Sequence, residues 1–379
     1  MPSISSREPE INHIPAAPPN QSYFKALTGV RAIAAYLVFF HHFNFLAYFK
    51  SHPLGSFLFD IVDEWHIGVT IFFVLSGFLI GYRYSELRDF SFRNYLVNRV
   101  ARIYPMYFLV TIVTFGAIFY TEGEFDFKIF LINLTFIKGF FEPYKFTGIA
   151  QGWSLTVEET FYFLAPILFL LINRSKIWFL LGPLLLSLLG SALVLWFSKH
   201  IYLGFFSSFD FLFNYTFFGR ASEFFLGIFL AYFFKNPKTS LPRLSYTTLG
   251  IVGISVSLVL LVCQRVPGLY GIQTNAGKLV NSVLLPAIGI LPLFWGLLKE
   301  KTWLSDFLSS RLMVLLGKSS YIFYLIHLRP LYDLLEYWNL SNPAFVFLVA
   351  NLLSIALFLL VEEPLNHKIR STFSKSRKT

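Results

Sequence analysis

The chain has 379 residues, of which 55% are hydrophobic and 14% charged, and phenylalanine alone supplies 47. A soluble domain carries nearer a quarter charged residues; here the apolar excess falls in long runs, which excludes an ordinary soluble enzyme and makes the chain a polytopic membrane protein. The net charge of +10 does not mark a nucleic-acid binder, because the basic residues lie in short loops between the apolar runs.

In chain order, residues 1–22 are polar and proline-rich and read as a disordered cytoplasmic leader. The first apolar run follows Lys25 and is long enough to stay in the membrane, so no cleavable signal is expected. Ten spans are predicted, at 27–48, 66–83, 104–121, 156–173, 177–197, 217–234, 244–264, 280–298, 314–333 and 342–362, each near the length a bilayer demands. The shorter apolar stretch 129–140 reads as interfacial or re-entrant. With the N-terminus inside, 20 Lys and Arg fall on the cytoplasmic side and 8 on the other, which sets both termini in the cytoplasm. The fold class expected is therefore an all-α integral membrane bundle of about ten helices. Residues 23–366 form its single transmembrane domain, and 367–379 form a basic cytoplasmic tail near anionic headgroups. A lone cysteine, Cys263, rules out an intrachain disulfide and a cysteine metal cluster.

Ionisable residues inside the apolar runs cost roughly 2.5–3.5 kcal/mol each on insertion scales and are functional candidates by default. In RAIAAYLVFFHHF (31–43), Arg31 and His42 are eleven residues apart. They share a helical face about 16 Å apart along the axis, whereas His41 points roughly 80° away. Arg31 can snorkel or anchor an anion; His42 can make a structural hydrogen bond or act as a base. In NRVARIYP (98–105), Arg99 and Arg102 lie one turn apart, suited to holding a phosphorylated ligand or to anchoring at the membrane surface. In QGWSLTVEETFYFLAP (151–166), Glu158 and Glu159 follow Ser154 and Thr156, either of which can cap the helix. Arg220 and Glu223 are spaced to pair with each other. Tyr321, Tyr324 and His327 occupy one span, Tyr324 and His327 on a shared face. Glu362 and Glu363 meet the cytoplasmic surface before Pro364, which is expected to stop the helix. No nucleophile elbow, phosphate loop or metal-binding HExxH is present.

In this order the segments resemble the acyltransferase-three family of integral membrane proteins, from Leu27 to Pro364. KALTGVRAIAAYLVFFHHF is similar to the family's arginine–ten–histidine opening, which falls on Arg31 and His42. HIGVTIFFVLSGFLIGY (66–82) is similar to its FFVLSGFLI signature, RVARIYP to its R-x-x-R-I-Y-P, WSLTVEETFYFLAP to its W-S-L-x-V-E, GKSSYIFYLIH to its S-Y-x-x-Y-L-x-H, and VEEP to its E-x-P. Two positions depart from the pattern. Thr70 stands where many members carry Asp, and Glu363 where a basic residue is commoner.

The resemblance implies an O-acyltransferase, foremost an O-acetyltransferase, of the cytoplasmic (inner) membrane. Its donor would be cytosolic acetyl-CoA or another acyl-CoA, with no permanently bound cofactor and no metal. Its acceptor would be a sugar hydroxyl of an envelope or exported glycan, or a lipid-linked saccharide. The catalytic set implied is His42, as base or acyl carrier, with Arg31 and Glu158, the latter orienting His42 or holding the acceptor. Arg99 and Arg102 would bind the acyl-CoA. Trp153, Ser154, Tyr321, His327, Arg220 and Glu223 stand behind them. Loop 122–155 and the other extracytoplasmic loops are expected to select the acceptor. The competing classes are a secondary transporter or flippase, which leaves its substrate's mass unchanged, and a structural partner in glycan assembly.

Overall fold

The structure, a computed structural model, describes residues 24–86, 90–199, 202–236, 242, 244–266 and 273–375. The expected leader 1–22 and the last residues of the expected tail, 376–379, lie outside them. The helices in chain order are α1 (Lys25–His42), α2 (Pro53–Asp63), α3 (Ile67–Tyr84), α4 (Phe92–Glu122), α5 (Phe127–Leu134), α6 (Trp153–Arg174), α7 (Trp178–Phe197), α8 (Phe209–Tyr215), α9 (Phe217–Lys235), α10 (Tyr246–Cys263), α11 (Asn275–Leu279), α12 (Leu291–Lys299), α13 (Trp303–Leu308), α14 (Arg311–Ile326), α15 (Leu331–Tyr337), α16 (Pro343–Leu357) and α17 (Glu363–Lys375). Two π-helical segments, Val280–Ile290 and Phe358–Glu362, join α11 to α12 and α16 to α17. Among the described residues there is no strand, only two isolated bridges. The architecture is the expected all-α bundle, with nine helical segments among the described residues long and apolar enough to cross a membrane.

The ninth predicted span, 314–333, differs. Its helix α14 is 16 residues long, about 24 Å, and breaks at His327 before the short α15. It can be short because it is a central helix. Ser319, Ser320 and every residue from Ile322 to His327 are buried, so protein rather than lipid surrounds most of it. The stretch 129–140 is indeed no span: it divides into α5 and a 3₁₀ turn at Ile137–Phe140.

Pro364 does not stop its helix. The chain passes through a π turn at Phe358–Glu362 and continues as α17, with Pro364 in the first turn. A proline is tolerated there because first-turn N–H groups have no intrahelical partner, and the wider π turn re-spaces the carbonyls the ring would strike. The expected tail boundary at 366/367 therefore falls within a helix that packs on α4.

The centre of the bundle is the α3–α9 pair. Gly77 of α3 lies against the Phe224 carbonyl and Gly227 of α9 against the Val74 carbonyl; a Cβ at either would stand 2.2 or 2.1 Å from that oxygen. Reciprocal glycines let two backbones touch, which is how helices associate where no hydrophobic drive operates between them. Around this pair, Ala32, Ala34 and Ala35 of α1 are fully buried, and α1 lies between α3 and α14.

Gly77→Ala is expected to lower stability by about 1–3 kcal/mol or to prevent folding, since backbone cannot yield as a flexible side chain can. Gly116→Ala, where a Cβ meets nothing within 4 Å, should be neutral or stabilising by up to about 1 kcal/mol. Thermal unfolding of the two variants in detergent compares them directly.

Candidate functional site

A narrow cavity of about 70 Å³ is lined by Arg31 of α1, Ser76 of α3, Arg99 and Arg102 of α4, Ser154, Glu158 and Tyr162 of α6, and Tyr321 and Tyr324 of α14. Five segments far apart in sequence thus converge. Arg99, eighth in α4, is 6% exposed, and its guanidinium stands 5.6 Å from the Tyr162 ring centroid. The Nε atoms of Arg31 and Arg99 are buried without a hydrogen-bond partner. Neither these residues nor Arg102 forms an ion pair among the described residues.

Glu158 is firmly held: the hydroxyls of Ser76 and Tyr162 both donate to its carboxylate, and Tyr95 in turn donates to the Tyr162 carbonyl at 2.8 Å. It faces Arg31 across the cavity. Its expected role as a partner that orients His42 finds no contact to carry it. The residue lies five positions inside α6, which moves it about 7.5 Å inwards from the helix start, to the arginine side. Ser154 and Thr156 do not cap α6 either. Ser154 donates to the Gln151 carbonyl at 2.9 Å and shares a 2.9 Å hydrogen bond with the Tyr324 hydroxyl, while Thr156 donates to the Phe136 carbonyl.

His42 stands apart from this cavity. It ends α1, is exposed, and stacks against His327 with ring centroids 5.6 Å apart. His327 is fully buried and lies 5.9 Å from Tyr324, which also lines the cavity and bonds Ser154. The two expected residues Tyr324 and His327 therefore form the wall between the arginine cavity and His42. Tyr321 also lines the cavity and donates to the Ile103 carbonyl at 2.9 Å.

Arg220 and Glu223 pair with each other as expected, at 2.8 Å. Arg220 also donates to the Thr70 hydroxyl at 2.8 Å and stands 5.9 Å from the Trp153 ring. The departure at Thr70 is thus accommodated by a neutral acceptor on the same guanidinium. This pair and Trp153 lie behind the cavity wall.

Several contributors were not placed in the site from sequence, among them Glu362, which was read only as meeting the cytoplasmic surface. Glu362 is 8% exposed, keeps one carboxylate oxygen without a partner, and lies near Arg102 and Arg31. Its position in a π turn, a frequent mark of functional sites, is not readable from residue types. Ser76 lies inside the FFVLSGFLI stretch and Tyr162 one turn after Glu158, so both were within reach. At the histidine end, Arg265 bonds Asp60 at 2.7 Å, Asp63 at 2.8 Å and Glu64 at 2.5 Å. Burial alone would lower its proton affinity, but the three carboxylates outweigh it and raise it above the usual arginine value. This hub fixes the segment that receives the His41 ring, whose Nδ1 is 2.5 Å from the Asp63 carbonyl.

The segment expected to choose an acceptor, 122–155, is well folded. Tyr107 donates to the Asn133 carbonyl at 2.8 Å, Asn133 to Thr147 at 3.0 Å, and Gln151 to the Tyr324 carbonyl. At its centre Lys138 is wholly buried and donates to the carbonyls of Thr147, at 2.8 Å, and Ile149. With no carboxylate beside it, burial pushes the ammonium down from the usual 10.5 to about 7.

Comparison with known proteins gives one family: the acyltransferase-three family model, described as "Acyltransferase domain", matches residues 24–363. A Staphylococcus aureus (strain COL) protein named "Putative O-acetyltransferase SACOL0978" is 23% identical over 86% of this chain and 54% of its own length. "Acyltransferase MdmB" of Streptomyces mycarofaciens is 29% identical over 42% of this chain and 43% of its own. "Nodulation protein 10" of Rhizobium leguminosarum bv. viciae is 31% identical over 38% and 43%. The chain spans about half the length of the curated relatives it matches. No solved structure matches it.

The buried lysine sets a pH dependence. Between about 7 and 10.5 the folded protein holds fewer protons at Lys138 than the unfolded chain, so stability rises with pH across that window; below about 7 the group is charged in both states and the slope vanishes. The unfolding midpoint should increase from pH 7 to pH 9, and Lys138→Met should flatten that rise. An unchanged slope in the variant would assign the dependence to other groups.

Proposed function

The chain belongs to the acyltransferase-three family, and from that premise we propose that it is a multi-pass membrane O-acyltransferase that moves an acyl group, foremost acetyl, from acyl-CoA to a sugar hydroxyl. The staphylococcal relative's name supports acetyl transfer. The excess of Lys and Arg on one side supports a cytoplasmic membrane with both termini inside, so the arginine end faces the cytosol and the donor.

The observation that carries the reading is the cavity in which Arg31, Arg99 and Arg102 converge without carboxylate partners. A guanidinium binds phosphate through paired N–H bonds, and three of them suit a donor that carries several phosphates on a long thioester arm. The arm extends along the cavity past Ser76 and Tyr321 to Tyr324. Beyond Tyr324 lie His327 and His42, the latter exposed to an acceptor from the opposite side.

Two routes are open to His42. As a base, it takes the proton of the acceptor hydroxyl while that oxygen attacks the thioester carbonyl. The C–S bond breaks, and the thiolate leaves and regains a proton. As an acyl carrier, its ring nitrogen attacks first and releases the thiol, and the hydroxyl then displaces the imidazole. Both routes need His327 or Tyr324 to yield, because they separate the ring from the cavity. Glu158, tied to Ser76 and Tyr162 and facing Arg31, positions the arginine that meets the donor.

The test is mass spectrometry of host surface glycans from a deletion strain, the deletion restored with this chain, and the deletion restored with His42→Ala at matched membrane abundance. An acyl-sized mass is expected to return with the native chain and to fall by at least about 100-fold with the alanine variant. Equal restoration by the variant would make His42 structural. A glycan mass unchanged in all strains would favour transport without covalent chemistry.

A further inference from the structure

Twelve buried side-chain polar atoms lack a hydrogen-bond partner among the described residues, and those of Arg31, Tyr84, Arg99, Glu362, Asn366 and Arg370 gather at the arginine end. Asn366 and Arg370 are one four-residue step apart on the last helix, and Glu362 lies a further four residues back, in the π turn that leads into it. That helix, α17, packs on α4. Arg99 and Arg102 of α4, with Arg83 and Tyr84 at the end of α3, lie close enough to Arg370 to act on it electrostatically. None of these four arginines makes an ion pair among the described residues.

Like charges gathered at a partly buried site repel one another, and the repulsion grows as water is excluded. Elsewhere this chain answers its buried arginines with carboxylates: Arg220 with Glu223, Arg265 with three acids. Here Arg31, Arg99, Arg102 and Arg370 have no ion-pair partner among the described residues, and the nearby Glu362 keeps one carboxylate oxygen unengaged. We infer that Arg370 and Arg83 extend the cavity's arginines into a phosphate site, one wall of which is α17, and that it takes the phosphate-bearing nucleotide end of the donor. The Tyr84 hydroxyl can donate a neutral hydrogen bond beside the charges, whereas the unpaired atom of Asn366 is its amide oxygen, an acceptor. The inference rests on reading the cavity as the donor's seat, and it adds two arginines and the C-terminal helix to that seat. Lipid headgroups carry the same phosphate chemistry, so the test separates the two sources.

The full chain is placed in nanodiscs of phosphatidylcholine, with and without phosphatidylglycerol, and the binding of coenzyme A and of adenosine 3′,5′-bisphosphate is measured by calorimetry. Arg370→Gln and Arg83→Gln are each expected to weaken coenzyme A binding about tenfold, the loss of one charge-assisted contact. Arg370→Lys should recover part of it, and Lys301→Gln should bind as the native chain does. Elution from size exclusion and the unfolding midpoint establish that each variant is folded. If Arg370→Gln and Arg83→Gln bind coenzyme A normally while Arg99→Gln does not, the extended site is overturned and the donor's seat in the cavity stands. If no form binds either nucleotide but phosphatidylglycerol binds in an Arg370-dependent way, the site belongs to lipid, and both the inference and the donor reading fall.

Discussion

A guanidinium inside a helix bundle has to be answered by something polar, and the source of the answer divides the arginines of this protein into two sets. Arg220 and Arg265 are answered by the chain itself, through carboxylates at 2.5 to 2.8 Å. Arg31, Arg99, Arg102 and Arg370 are not. A protein that encloses the second kind retains, in the folded state, attraction for an anion from outside. Everything else in the cavity follows from that asymmetry. Glu158 is tied by Ser76 and Tyr162, so it cannot swing over to neutralise the nearest arginine. Glu362 sits close by with one oxygen unengaged. The site is cationic at one end by construction.

The opposite end is built on imidazoles. His66, His41, His42 and His327 follow one another with ring centroids 5.5, 4.9 and 5.6 Å apart, buttressed on the outer side by Arg265 and its acids. The two ends meet at Tyr324, which touches the cavity, Ser154 and His327. A permanent cation array on one side and titratable rings on the other, with a single aromatic wall between them, is an arrangement suited to handing a group across a membrane, since neither reactant needs to cross it.

Much of this was legible in the residues. Hydropathy located the spans because lipid imposes length and apolarity on crossing helices, and α14 is shorter than the others because protein rather than lipid surrounds most of it. Arg31, Arg99 and Arg102 were readable as misplaced charges, and the Arg220–Glu223 pair from its spacing. The partner of Glu158 was not, because depth along a helix depends on where the helix starts, and α6 starts at Trp153, three residues before the predicted span. Pro364 misled for a related reason: a π turn upstream relaxes a rule that holds for α-helix, and nothing in FLLVE announces a π turn. Arg370 sits in a stretch that reads only as basic tail, and its place beside Arg99 becomes visible once the helix continues.

The reciprocal contact of Gly77 and Gly227 has a mechanical consequence. Two helices whose backbones touch at paired points cannot slide or part without opening a gap that neither side chains nor lipid can fill in time with the motion. The α3–α9 pair is therefore a stiff spar, and Val69, Phe72, Phe73, Leu75 and Ser76 of α3, which line the cavity, ride on it. Compliance has to reside in the remaining walls, foremost the rotamers of Tyr324 and His327 and the seating of α17. The rigid part of the cavity wall is thus the part built on touching backbones, and the rest is built on side chains and on one terminal helix.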